Sequence, residues 1–570
     1  MRILGLTTMG DAAATLIVDG HVVAAVEEER FSRRKHHSGF PYSAVEFCLA
    51  EGAITMADVD HVALYWKPWI IGRKALEAAK MLVVSRAMFQ ARASRGVTQV
   101  TGSYAGMLRL PQLIRERFGP SDFEFHYLEH HLCHAASAFL VSPFERAAIF
   151  TMDGTGEATT TMSAVGAGTD IRPLTRTKIP HSLGQFYSAV TNFLGFDMFA
   201  GDEWKVMGLA AYGEPTYRAF FERVLAPAGA DSFRVDVKLL DHHLAKRYEF
   251  SDEAKRALGP PREPGSEITQ RDKDIAASAQ LVLEEVVLRL LRTLHARTGE
   301  KNLCLAGGAA FNSVMNGRII REGPFEDVFI QPVAGDAGCS LGAALQIHHG
   351  LLGRPRGAPM QHAYLGPAYD SDACAAALRE AGLPSERLPD AELFARVAQM
   401  IADGAIVGWF QGRAEFGPRA LGNRSFVADP RRDDMRELLN EKVKLREWFR
   451  PLAPSLLEDA SAEFFGQDHR DPFMVTVHPV VPEQQARIPA VVHVDGTARP
   501  QTVSAQTNPR YHGLISAFEA LTGVPMLLNT SFNIQEPIVC SPADAIRTFQ
   551  SASFDALILE DHLVLRSAVT

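Results

Sequence analysis

Short apolar runs separated by tight turns open the chain. Residues 3–6 (Ile-Leu-Gly-Leu) read as a strand, Met9-Gly10-Asp11 as a turn, and residues 13–18 and 22–26 as two strands joined through Asp19-Gly20. Asp-Gly between apolar runs is a strong hairpin signal. The layout recurs at residues 149–152, which enter the loop Asp153-Gly154-Thr155-Gly156. A run over 159–165, a Gly166-Ala167-Gly168 turn and a returning run from Ile171 follow. The repetition predicts two similar half-domains. Small, helix-favouring residues after Glu129 predict a helix there. Residues 274–297 predict a long amphipathic helix with Ile275, Ala279, Val282, Val286, Leu290 and Leu294 on one side and Gly299 just past its end. Residues 303–305 read as a strand entering a helix through Gly307-Gly308, and Ala334-Gly335-Asp336-Ala337-Gly338 as a glycine-rich turn before another helix. Gly350 to Pro359 reads as a linker, after which residues 405–410 form a strand feeding an arginine-rich loop.

Length and charge narrow the class. A chain of 570 residues, 46% apolar, exceeds one hydrophobic core, so two or more domains are expected. A net charge of −9 argues against nucleic acid as a global partner. Six cysteines without a CxxC pair suit a reducing cytosol. The N-terminus lacks a signal-peptide core and no run is apolar enough to span a bilayer, so a soluble cytoplasmic protein is expected. Residues 66–115 carry nine Lys/Arg against one acid, Glu77, and read as an inserted basic helical lobe.

The candidate chemistry begins at Glu129-His130-His131-Leu132-Cys133-His134. The four-residue spacing puts His130 and His134 one helical turn apart on one face, able to grip one metal ion. A packed, hydrogen-bonded pair is the bland alternative, and a zinc protease is disfavoured because the glutamate of His-Glu-x-x-His is missing. Asp153 at the end of an apolar strand supports the metal reading. Asp336 is either a further ligand or a helix cap. The glycine loops after Asp153 and at Gly307-Gly308 can approach phosphates closely. Together these give the outline of the actin-like ATPase and sugar-kinase architecture. In the stretch 411–450, with ten Lys/Arg against seven Asp/Glu, Arg413, Arg419 and Arg424 lie in a Gly/Pro-rich loop suited to phosphate, whereas Arg431, Arg432 and Arg436 read as a solvated face.

These residues resemble the O-carbamoyltransferases of antibiotic, toxin and nodulation-factor biosynthesis, of the tobramycin and nodulation-protein-U type. The match runs through Glu27-Glu28-Glu29-Arg30-Phe31, Lys35-His36, His130 to Ser137, Asp153 to Gly156, Lys205 to Ala210, Gly307-Gly308 and Asn312. It continues through Gly417 to Gly422, Trp448 to Pro451, Arg499 to Val503 and Asn529 to Asn533. The resemblance implies an α/β protein of two parts. Residues 1–350 would form a duplicated actin-like, sugar-kinase-like domain similar to tRNA threonylcarbamoyl transferase, with the basic insertion at about 66–115. After a linker at 351–360, residues 361–570 would form a YrdC-like domain. That second domain would make carbamoyl adenylate from carbamoyl phosphate and ATP, and the first would pass the carbamoyl group to an acceptor hydroxyl.

By the same resemblance His130, His134, Asp153 and Asp336 would bind an iron-type divalent metal, with Mg2+ accompanying ATP. Asp153, Gly154, Thr155, Gly156, Gly184, Gly307, Gly308 and Asn312 would line the nucleotide. Arg419, Lys444, Arg450, Arg499, Asn529 and Ser531 would bind carbamoyl phosphate, with Arg419 and Lys444 also catalytic. The family usually has His-Asp where this chain has Gly10-Asp11, which leaves Asp11 as the candidate base. Carbamoyl phosphate, ATP and a hydroxyl-bearing acceptor are the expected partners, and a homodimer is compatible with them. A sugar-kinase-like phosphotransferase and a tRNA-modifying or tRNA-binding protein are the rival readings.

Overall fold

The computed structural model describes residues 1–70, 105–240 and 250–566. The basic lobe expected at 66–115 lies mostly outside the described residues; its last part is the helix Ala105–Phe118. The chain divides into two compact units, Met1–Ala25 with His36–Met360, and Val26–Lys35 with Gln361–Thr570. A contiguous division of the chain does not describe this exchange of ten residues.

The first unit holds two five-stranded sheets of the same topology. One comprises β1 (Arg2–Thr7), β2 (Ala13–Val18), β3 (His21–Glu27), β4 (His61–Leu64) and β5 (Glu124–Tyr127), in the order β3-β2-β1-β4-β5. The other comprises β6 (Arg146–Met152), β7 (Thr159–Ala167), β8 (Asp170–Lys178), β9 (Asn302–Ala306) and β10 (Asp327–Ile330), in the order β10-β9-β6-β7-β8. In each, the first strand pairs antiparallel with the second and parallel with the fourth. The duplication expected from the repeated sequence layout is therefore present in the strand order. At the β2–β3 turn Asp19 and Gly20 both have positive φ, +50° and +87°, the conformation that a two-residue hairpin of matching twist requires.

The helix Gln270–Thr298 is longer than the predicted 274–297 because Thr269 and Asp272 close a capping box ahead of it, and Gly299 ends it in the left-handed region. Its predicted apolar stripe is buried. The strand at 302–306 does not pass directly into a helix. A 3-10 turn at Gly308–Phe311 intervenes, and the helix Ser313–Glu322 begins only where the Asn312 side chain caps it by accepting from Met315 N at 3.0 Å.

Two helices position the site in this unit, His130–Phe139 and Gly338–Leu345. They cross in contact at Gly342, where a Cβ would stand 1.9 Å from the carbonyl oxygen of Cys133, so only glycine permits the approach. Both are buried nearly all round; the second is apolar but for Ser340, whereas the first buries His130, His131, His134 and Ser137. Residues of the expected linker are tied down within this unit, where the Arg356 guanidinium donates to the carbonyls of Phe139, Leu140, Ser142 and Phe144.

The second unit is built on one mixed eight-stranded sheet. Its strands are β11 (Glu386–Arg387), β12 (Val407–Phe410), β13 (Arg424–Ala428), β14 (Ala453–Leu457), β15 (Gln501–Val503), β16 (Met526–Ser531), β17 (Ala556–Leu559) and β18 (His562–Leu565). The order is β11-β18-β17-β12-β13-β16-β14-β15. Central strands buried on both faces, such as Val407–Phe410 and Ala556–Leu559, pack against the helices Asp390–Ala402, Pro509–Thr522 and Pro542–Ser551. The early segment 26–35 is bound here. Arg30 donates to Gly417 O, Glu27 accepts from Gly417 N, and Arg33 donates to the carbonyls of Pro537 and Ile538.

Candidate functional site

His130 and His134 are fully buried, and their Nε2 atoms face each other at 3.1 Å. Asp153 arrives from the end of β6 with Oδ2 3.1 Å from His130 Nε2. Asp336 arrives from the turn before the helix Gly338–Leu345, with Oδ1 3.6 Å from His130 Nε2 and 3.8 Å from His134 Nε2. The four ligand atoms all lie within 4.8 Å of one another, and the Cys339 thiol forms a second such group with the two histidines. The Asp336 side chain caps no helix; Tyr65 Oη donates to its Oδ2 at 3.3 Å.

Two imidazole lone pairs and two carboxylates cannot share so small a volume without a cation among them. In the metal-free protein a proton serves. Burial opposes charging His130, but Asp336 and the hydrogen-bonded Asp153 outweigh it and raise its pKa to about 9. Burial, and then the charge on His130, hold His134 neutral. The Nδ1 atoms of both histidines are buried without a hydrogen-bond partner. This donor set of two imidazoles and two carboxylates fits an iron, zinc or manganese ion.

The neighbouring His131 is a structural residue. Its Nε2 lies 3.0 Å from Thr159 O, which can only accept, so the proton sits on Nε2 and Nδ1 accepts from Thr151 Oγ1 at 2.8 Å. Burial first, then His130, depress its pKa to about 3. It pins the metal-side helix to β6 and β7.

The loop after Asp153 is held by Ser182, whose hydroxyl lies 3.1 Å from Asp153 O and 2.8 Å from Gly154 O. Gly184 sits against this loop: a Cβ there would meet Gly154 N at 2.7 Å. Gly308 N donates to Asp153 Oδ1 at 3.1 Å, fixing the carboxylate from the loop after β9, the parallel neighbour of β6 in the same sheet. The expected loop residues Asp153, Gly154, Thr155, Gly156, Gly307 and Gly308 therefore belong to adjoining turns, with Gly184 packed against them from the first turn of the helix Leu183–Phe193. Asn312 is committed elsewhere, to the cap and to Gln280 at 2.9 to 3.0 Å.

Asp11 is partly exposed beside this cluster, and His36 Nδ1 stands 2.7 Å from its Oδ1 while His36 Nε2 lies 3.2 Å from Ala200 O. Both nitrogens of His36 thus face acceptors. Glu157 accepts the backbone N–H of His130 and of Lys67. Sequence spacing gave no reason to single out Tyr65, Glu157 or the His36–Asp11 pair, since each contact joins elements far apart in the chain.

The second unit gathers cations. Lys444 is buried, and its ammonium donates to Ser531 O, to Ser531 Oγ at 2.9 Å and to Asn533 Oδ1 at 2.9 Å. Burial, then Arg446 and Arg450, push its pKa well down. Arg446 is depressed by burial and by Arg450. Burial, then Arg419, depress Arg499, and Arg446 adds to the effect. Burial likewise pushes Arg419 down to about 10, with Asp471 opposing. Arg419, Lys444, Arg450 and Arg499 are thus brought into one electrostatic neighbourhood, joined by Arg446, which sequence reading passed over. Arg446 Nη2 and Arg499 Nε are buried without a hydrogen-bond partner. Such a set suits a small polyanion.

Asn529 lies inside the sheet, its amide nitrogen donating to Ala420 O, Ser455 Oγ and Gln501 Oε1. Two arginines expected to offer forks to phosphate are otherwise engaged. Arg424 is fully buried, donates to four backbone carbonyls and stacks on Phe410 at 3.6 Å. Arg413 donates to Gly366 O and Leu365 O. In both, backbone carbonyls take the guanidinium N–H groups that phosphate would need. Arg432 pairs with Asp434 at the surface, as a solvated face implies, whereas the half-buried Arg431 pairs with the buried Asp429.

No helix among the described residues is long and apolar enough to cross a membrane. Residues 2–345 match the model of the carbamoyltransferase N-terminus and residues 398–566 that of the carbamoyltransferase C-terminus. An uncharacterised protein of Synechocystis sp. (strain ATCC 27184 / PCC 6803 / Kazusa) is 40% identical, over 100% of this chain and 97% of its own. Nodulation protein NolNO of Sinorhizobium fredii is 41% identical, over 98% of this chain and 79% of its own. Nodulation protein U of Rhizobium tropici is 30% identical, over 94% and 91%. Among solved structures, T. kodakarensis HypF aligns at 14% identity with a TM-score of 0.33, covering 62% of this chain and 48% of its own. That overlap is too distant to bear on fold or chemistry. The two family matches span the metal-side helix, the glycine loops and the cationic cluster alike, and the chain belongs to the carbamoyltransferase family, an assignment that makes it a carbamoyltransferase enzyme.

Proposed function

We propose that the protein is an ATP-dependent O-carbamoyltransferase acting in two stages. In the second unit, read as YrdC-like, carbamoyl phosphate loses its phosphoryl group to water, and the resulting carbamate oxygen attacks the α-phosphorus of ATP. Pyrophosphate leaves and carbamoyl adenylate remains. In the first unit, read as actin-like and sugar-kinase-like, an acceptor hydroxyl attacks the carbamoyl carbon and AMP departs. The observation that carries the reading is the gathering of Arg419, Lys444, Arg446, Arg450 and Arg499, whose mutual repulsion is relieved by a bound polyanion.

In the first stage these side chains bind and orient the phosphate dianion and stabilise charge that builds on the transferring group. Ser531 and Asn533 keep the Lys444 ammonium in place through three hydrogen bonds. In the second, His130, His134, Asp153 and Asp336 would hold a divalent ion, which would supply positive charge to the adenylate's phosphate. Of the two glycine loops, the one at 153–156 offers that phosphate the backbone N–H groups of Gly154 and Thr155, those of Asp153, Gly156, Gly307 and Gly308 being donated within the protein. Asp11, oriented by His36, takes the acceptor's proton.

The test is a product analysis with ATP, carbamoyl phosphate and purified protein. AMP and pyrophosphate, formed only when carbamoyl phosphate is present, are the expected products. ADP in their place overturns the reading in favour of a kinase.

A further inference from the structure

A second convergence of metal-ligating atoms lies on the edge of the first sheet. β4 and β5 pair in parallel with His61 opposite Glu124 and Ala63 opposite His126. Side chains two apart on a strand share a face, so this register sets His61, Glu124 and His126 on the same side of adjacent strands. His61 Nδ1 and His126 Nε2 are 3.1 Å apart, and the Glu124 carboxylate lies 3.7 Å from the first and 3.8 Å from the second. All three ligand atoms fall within 4.8 Å of one another.

Two ligands about 2.0 to 2.1 Å from a tetrahedral zinc ion stand about 3.3 Å apart, so the imidazole pair already has nearly that separation. The carboxylate needs to move only a few tenths of an ångström. Glu124 can do so, being 69% exposed, whereas the two imidazoles are held at 12%. Burial first, then His61, keep His126 inclined to the neutral form that a ligand requires, against the pull of Glu124. A simple hydrogen bond between the two rings accounts for their spacing but not for the third ligand on the same face.

We propose that His61, Glu124 and His126 form a second metal site, taking a zinc-class divalent cation with a fourth position left to solvent. Imidazole donors exclude calcium and magnesium, which demand oxygen cages. Such an ion ties the edge strand β5 to β4. The site shares no residue with the His130 cluster and does not depend on the carbamoyl-transfer reading.

The experiment is equilibrium dialysis of the metal-stripped full chain against micromolar free Zn2+, with bound zinc per chain read by elemental analysis. Wild type is expected to hold one more ion than the His61→Ala/His126→Ala variant, and the His130→Ala/His134→Ala variant is expected to keep that ion. Excess Mg2+ should not displace it. Glu124→Gln, at an exposed position that leaves folding intact, should weaken the site at least tenfold even where the double variant folds poorly. Equal zinc in wild type and the His61/His126 variant, or unchanged affinity in Glu124→Gln, overturns the proposal.

Discussion

The histidine–aspartate cluster of the first unit and the cationic cluster of the second both bury ionisable side chains, but they balance charge in opposite ways. In the first, His130 faces Asp153 and Asp336, and attraction between unlike groups holds the set together. In the second, burial depresses Lys444, Arg446 and Arg499, and neighbouring cations add to it: Arg446 and Arg450 at Lys444, Arg450 at Arg446, Arg419 and Arg446 at Arg499. Glu447 and Glu536 oppose this only in part. Asp471 is spent on the backbone N–H groups of Phe473, Val475 and Thr476 and on the Thr476 hydroxyl. The scaffold therefore imposes the second arrangement against its own electrostatics. A site whose charges largely offset one another can wait for a metal, while a repulsive one gains stability from the anion it binds.

The sharpest break between the two regions is expected from the histidines. His130→Ala or His134→Ala should remove an ion from the chain by elemental analysis and abolish carbamoyl transfer, yet leave carbamoyl-phosphate-dependent pyrophosphate release within a few-fold of wild type. Full metal content in both variants would make the pair structural. On the other side, Arg419→Ala and Arg499→Ala should each raise the KM for carbamoyl phosphate in that assay about 30-fold, from a charge-assisted contact of about 2 kcal/mol. Metal content should stay unchanged.

Neutralising one member of each set should move stability in opposite directions. Arg446→Met removes a charge that the fold disfavours, so the melting temperature without ligand should hold or rise, while the rise produced by added phosphate or pyrophosphate shrinks. Asp153→Asn deletes a partner of His130 and should lower the metal-free melting temperature. The same sign in both variants would erase the contrast.

A smaller effect is expected from His131. Its folded pKa lies below the unfolded value, so its contribution is fully present above about 6.5 and is lost as pH falls toward about 3. Wild type should lose stability there with up to about 1.4 kcal/mol per pH unit from this group, and His131→Gln should flatten the profile in urea titrations. Least of all, Arg432→Ala should change activity and stability by no more than about 0.5 kcal/mol, because its pair with Asp434 is exposed. A larger loss would extend the cationic site to the surface.

Much of this was legible locally. The hairpin at Asp19-Gly20, the helix bearing His130 and His134, and the long helix ending at Gly299 follow from turn chemistry and periodicity, which act over a few residues. The duplicated sheet order follows from repetition of such signals. The motif resemblance marked Arg419, Lys444, Arg450 and Arg499 before any geometry was available.

What the fold alone decided are contacts between distant segments. Arg446 joins the cationic set, and Arg424 leaves it, because of which loop carbonyls and charges surround each guanidinium; composition cannot tell a fork facing backbone from one facing a ligand. Asp336 turns toward His130 rather than capping its helix because Gly342 lets that helix pack against the carbonyl of Cys133. Asp11 meets His36 through the path of the chain between β1 and the segment after residue 35, and His61 meets His126 through the register of two parallel strands. A sequence specifies which side chains share a helix face or strand face, since that depends on local backbone period. Which faces then meet depends on packing the whole core at once, and that is where both sets of charges acquired their opposite balance.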